Sequence, residues 1–91
     1  MIYLSQDQKE TLLLVDKMIS ENKTFDEIKD CLLSGDYTFR VNVKNGYASK
    51  THFEIVKKKK DENGYIKYDY TFVDLIKRKN GLAYWETIRI S

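Results

Sequence analysis

The sequence predicts an α+β domain in which an N-terminal two-helix layer packs on one face of a four-stranded antiparallel β-meander, in the order ααββββ. Three observations lead there. Apolar residues recur at about 3.6-residue spacing up to residue 35 and at a spacing of 2 afterwards. Two capping boxes stand ahead of two helical patterns. Three Asn-Gly steps then separate four alternating stretches.

Ser5 and Gln8 form the first box: the hydroxyl accepts from the third helical amide while the Gln side chain reaches back to the cap. A helix is therefore expected from about Gln6. Leu12, Val15, Met18 and Ile19 share its apolar face, with Leu13 and Leu14 widening it, and Glu21-Asn22-Lys23 interrupts the pattern. Thr24 and Glu27 open a shorter helix with Phe25, Ile28, Leu32 and Cys31 inward, and Gly35 is placed as its stop. So short a helix is marginal in water alone, which requires packing on another element.

The sheet supplies that surface. In YTFRVNV, Tyr37, Phe39, Val41 and Val43 alternate with polar residues, and in YASKTHFEI the set Tyr47, Ser49, Thr51, Phe53 and Ile55 shares one face. A three-residue Lys44-Asn45-Gly46 loop pairs Val43 with Tyr47 and Tyr37 with Phe53, which keeps both apolar sets together. A two-residue Asn63-Gly64 turn pairs Ile55 with Phe72, Lys57 with Tyr70 and Lys58 with Asp69. A Lys79-Asn80-Gly81 loop pairs Ile76 with Tyr84, Phe72 with Ile88 and Tyr70 with Ile90. Proline and low-complexity linkers are absent, so residues 1–91 read as one domain, with a helical hairpin over 4–35 and the sheet over 36–91.

Composition bounds the function. With 42% apolar, 13% aromatic and 33% charged residues, the 91-residue chain suits one modest core and excludes a disordered tail. No apolar run nears the roughly 20 residues of a membrane span, and the first residues lack a basic n-region. With one cysteine no internal disulfide is possible, which with the missing leader pattern points to the cytoplasm. The net charge of +2 is unevenly placed: residues 1–35 carry four lysines against seven acids, and residues 36–91 carry twelve basic residues against seven acids.

Chemistry has few candidates. His52 is the only histidine, Cys31 has no second cysteine to form a CxxC, and no Gly-rich phosphate loop or zinc-finger spacing occurs. No catalytic residue, metal ligand or cofactor is therefore assigned, and no stretch carries the motif of a known family. The leading expectation is a protein-binding module, an inhibitor or regulator using Val73, Leu75 and Trp85 as an exposed patch on the face away from the helices. Its partner is another protein, and Ile2-Tyr3-Leu4 or a second copy in a homodimer are alternative covers for the same patch.

A nucleic-acid role for DNA or RNA is the alternative. The stretch IVKKKKDENGYIKYDY reads as a twisted ribbon projecting past the helices, with Lys57, Lys58, Lys59, Lys60 and Lys67 for phosphates and Tyr65, Tyr68 and Tyr70 for stacking. The bland account of the same lysines is that they keep an exposed strand edge from pairing with another chain. A third expectation, a metal-dependent nuclease, rests on Asp74 facing Glu86 on the nominal core side, with His52 as helper.

Overall fold

The computed structural model describes residues 5–87 and has the expected order: α1 (Gln6–Ser20), α2 (Phe25–Ser34), β1 (Tyr37–Lys44), β2 (Tyr47–Lys60), β3 (Ile66–Lys77) and β4 (Ala83–Thr87). The strands form one antiparallel sheet in the order β1-β2-β3-β4, with both helices on one face. Among the described residues, no helix is long and apolar enough to cross a membrane.

Both helix starts follow the capping chemistry. Ser5 accepts from the Gln8 amide at 3.2 Å and Gln8 answers at 2.8 Å; Thr24 and Glu27 repeat the exchange. α1 ends where Asn22 takes a left-handed φ of 59° and the Lys23 amide donates to the Met18 carbonyl. Gly35 terminates α2 with φ of −105°, so it acts there without left-handed geometry. The buried stripes are Leu12, Val15 and Met18, and Phe25, Ile28 and Leu32. Leu13 and Cys31, both expected to extend those stripes, are instead exposed, because each lies a helical step beyond the sheet contact.

Register is where the fold departs from expectation. Lys44 pairs with Tyr47 across a two-residue Asn45-Gly46 turn whose residues have φ of 54° and 80°. That turn alone would put the apolar sets on opposite faces. An irregularity between Val41 and Val43 corrects the parity, so that Val41 pairs with Phe53, Phe39 with Ile55 and Tyr37 with Lys57. The Ser49 hydroxyl holds it by accepting from the amides of Thr51 and His52.

The middle turn is not the two-residue Asn63-Gly64 type. Asp61 Oδ1 accepts from the amides of Asn63 and Tyr65, both at 2.9 Å, while the Asp61 amide donates to the Tyr65 carbonyl, which makes a longer loop. Lys60 therefore pairs with Ile66 and Lys57 with Asp69, and odd-numbered residues of β2 share a face with odd-numbered residues of β3. A bulge at Thr71 and Phe72 then carries the pairing to Ile55 with Val73. Thr71 Oγ1 donates to the Ile55 carbonyl at 2.6 Å and accepts from the Val73 amide at 3.2 Å. Gln8 Nε2 donates to the Thr71 carbonyl at 2.6 Å, so one capping side chain also fastens α1 to the bulge. Phe72 sits at φ of 58°, a costly conformation for a bulky side chain that these bonds enforce.

The last loop forms as expected. The Arg78 amide donates to the Leu82 carbonyl, Gly81 takes φ of 84°, and Ile76 pairs with Tyr84. The expected pairs of Phe72 with Ile88 and Tyr70 with Ile90, and a cover by Ile2-Tyr3-Leu4, lie outside the described residues.

Candidate nucleic-acid interface

The register decides which side chains meet. Val73 and Leu75 are wholly buried under the helices, and Trp85 packs against the same core with its indole N–H donating to Asp16 of α1. The expectation of an exposed Val73, Leu75 and Trp85 patch is therefore overturned. The five-residue loop at 61–65 put the odd residues of β3 on the helix side, where a two-residue turn would have put them outside.

The same parity divides the lysine run. Lys57 and Lys59 point to the helix side and meet the first turns of α1: Lys57 lies 3.5 Å from Asp7 and 3.3 Å from Glu10, and Lys59 bonds Asp7 and lies 3.2 Å from Asp69. The hydrogen bond from Lys59 holds the Asp7 carboxyl below its ordinary range, against a smaller effect of burial. Glu10 is lowered as well, by the Gln6 amide and then by Lys57. Burial works against the charge of Lys57, but its bond to Glu10 and the nearby Tyr37 and Asp7 outweigh that and raise it. Lys59 is raised by its bonds to Asp7 and Asp69. The acidic helix layer thus neutralises half of the run at the contact between the layers.

Lys58 and Lys60 point to the opposite, helix-free face, and among the described residues neither joins an ion pair. There they stand beside Tyr68 and Ile66 on β3. Ile66, Tyr68 and Tyr70 follow one another at every second residue, with exposures of 52%, 55% and 48%. Successive members are spaced about 7 Å apart along the strand. Arg40 joins them from β1, its guanidinium carbon 5.0 Å from the Tyr70 ring centroid. Beside this strip a cleft of about 540 Å³ opens where β1 begins, lined by Asp36, Ile66 and the four lysines. Tyr65 is exposed in the loop, while Lys67 sits on the helix side opposite Lys59, away from the tyrosines. Arg40 and Ile66 carry no motif; only the shifted β1–β2 register and the loop at Asp61 bring them to the strip.

The carboxylates form a row across the same face. Glu54 pairs with Asp74, and Asp74 with Glu86, as the last hairpin predicted, but on the helix-free side rather than the core side. His52 lies in the next row, opposite Ile76. The trio Asp74, Glu86 and His52 does not converge: among the described residues no group of three His, Cys, Asp or Glu is placed to hold a metal ion. Glu54 is 3% exposed and its Oε2 has no hydrogen-bond partner among the described residues. Burial pushes its carboxyl up, opposed by Arg40 at 3.9 Å and reinforced by Asp74. No protein-family model, curated protein or solved structure matches this chain.

Proposed function

We propose that this chain is a binding protein that takes single-stranded nucleic acid on the helix-free face of the β2–β3 ribbon. One observation carries the reading. Parity sends Lys57 and Lys59 to acidic partners on α1 and leaves Lys58 and Lys60 beside Tyr68 and Tyr70, outside any ion pair among the described residues. Such cations flanking a file of exposed rings suit a strand whose bases are splayed onto the rings while its phosphates lie along the lysines. Duplex DNA hides its base faces and offers only its phosphates to such a strip.

Labelled single- and double-stranded oligonucleotides, followed by fluorescence anisotropy, test this directly. Tyr68→Ala is expected to weaken single-strand binding by about tenfold or more, since one base–aromatic stack contributes roughly 1–3 kcal/mol. Unchanged single-strand affinity in a folded Tyr68→Ala protein would refute the reading. Protein binding is kept as a second reading for the same strip, because Ile66 is 52% exposed and supplies an aliphatic neighbour that nucleic acid does not use. It is favoured if no oligonucleotide binds at low salt.

A further inference from the structure

The helix-free face has a second basic cleft, at the opposite end of β3, which shares no residue with the tyrosine strip. It is a shallow cleft of about 500 Å³, open to solvent, over the side chain of Ile76, which is 2% exposed. That is within the range of small-ligand sites. Its walls come from two places: Thr51 and His52 on β2, and the end of the β3–β4 hairpin with Arg78, Lys79, Asn80 and Tyr84. Among the described residues, no carboxylate lines it.

Each wall is fixed by bonds already described or by close neighbours. The Ser49 hydroxyl sets the backbone at Thr51 and His52, and Thr51 Oγ1 lies 2.8 Å from His52 Nδ1, which leaves Nε2 as the ring's other polar atom. Asn80 Oδ1 accepts from the Leu82 amide at 3.0 Å, so its Nδ2 donors remain for a ligand. The Arg78 guanidinium carbon stands 4.5 Å from the Tyr84 ring centroid. Lys77 differs from its neighbours, since it turns to the helix side and lies 3.7 Å from Asp26. Arg78 and Lys79 form no ion pair among the described residues.

We infer that this cleft binds a nucleoside phosphate, with the phosphate held by Lys79, Asn80 and Arg78 and the base stacked on the outer face of the guanidinium that lies over Tyr84. A stacked guanidinium offers its second face to a planar ring, and its N–H fork suits phosphate oxygens. Two sources carry this chemistry: a free mononucleotide, and the phosphorylated end of a strand.

The test is amide and side-chain NMR of the whole chain titrated with adenosine 5′-monophosphate, adenosine, and a short oligoadenylate with and without a 5′-phosphate. The expected result is a set of shifts at residues 51, 52, 78–80 and 84, with the monophosphate binding about tenfold more tightly than adenosine. Arg78→Ala and Lys79→Ala, both exposed and outside the core, should each weaken it by about tenfold. Shifts with the mononucleotide assign a free nucleotide; shifts only with the phosphorylated oligoadenylate assign a strand end; either supports the cleft. No shift with any phosphorylated probe, or equal binding of adenosine, or shifts indifferent to both substitutions, overturns it. Because Tyr68 is remote from these residues, the outcome is independent of the single-strand reading.

Discussion

Replacing Lys58 and Lys60 together with alanine, beside a matched Lys57→Ala/Lys59→Ala protein, separates two pairs that are indistinguishable by sequence. Lys58, Lys60 and Arg40 are the cations that flank the tyrosine strip itself. Each phosphate contact on a single strand contributes about 0.7 to the log–log salt slope, so three contacts give about 2.1. Binding should then weaken about 18-fold between about 50 and about 200 mM salt, and only about 2.6-fold once Lys58 and Lys60 are removed. The control pair faces Asp7, Glu10 and Asp69, so its loss should leave the salt dependence in place and lower the thermal midpoint. Anisotropy titrations at several salt concentrations, with thermal melts of the same samples, read both quantities. If the Lys57/Lys59 variant loses the salt dependence while the Lys58/Lys60 variant keeps it, the assignment of faces is wrong.

Other outcomes follow from the packing. Leu75→Ala should cost about 2–5 kcal/mol by urea unfolding, as for a buried leucine; a cost near zero would restore the exposed patch. Thr71→Val keeps the volume but leaves the Ile55 carbonyl and the Val73 amide without their hydroxyl partner, which should cost about 1–3 kcal/mol in the same assay. Glu54 titrates above its ordinary range, so the folded state holds its proton more tightly than the unfolded chain. Its ionisation therefore removes stability as pH rises through the window between the unfolded and folded values. Glu54→Gln should be the more stable protein near neutral pH, by on the order of 1 kcal/mol, and this advantage should vanish at pH values below that window, where Glu54 is protonated in both states. Asp7 has the opposite sign. Its contribution is present above the unfolded value and is lost as pH falls through the lowered folded one, so Asp7→Asn should flatten the acid limb of the stability profile.

The helices were legible because their signals are local. Ser5 with Gln8 and Thr24 with Glu27 place each box within four residues, and the apolar stripes follow directly from the helical period. The strands were equally legible as alternating stretches. What alternation cannot give is which face of one strand meets which face of the next. A loop longer or shorter by one residue reverses it, and the side chain of Asp61 settled that choice between β2 and β3.

Lys-Asn-Gly shows the limit most clearly, because the chain uses it twice with different results. At 44–46 both Asn45 and Gly46 are left-handed and the turn has two residues; at 79–81 only Gly81 is, and the loop has three. The second copy is held by the Phe25 amide donating to the Gly81 carbonyl at 2.9 Å, a contact made by α2 and absent from the first. The sequence by itself determined the elements, their order and the antiparallel plan, since periodicity, capping and Asn-Gly turns act over a few residues. Only the tertiary structure decided the faces: it buried Val73 and Leu75, packed a half-buried Trp85 against the same core, paired Lys57 and Lys59 with α1, and left Lys58 and Lys60 beside the tyrosines. Face is a property of register, and register was set by bulges and loops held partly by local side chains, Asp61 and Ser49, and partly by partners from elsewhere in the chain, Gln8 and Ile55 at Thr71 and Phe25 at Gly81.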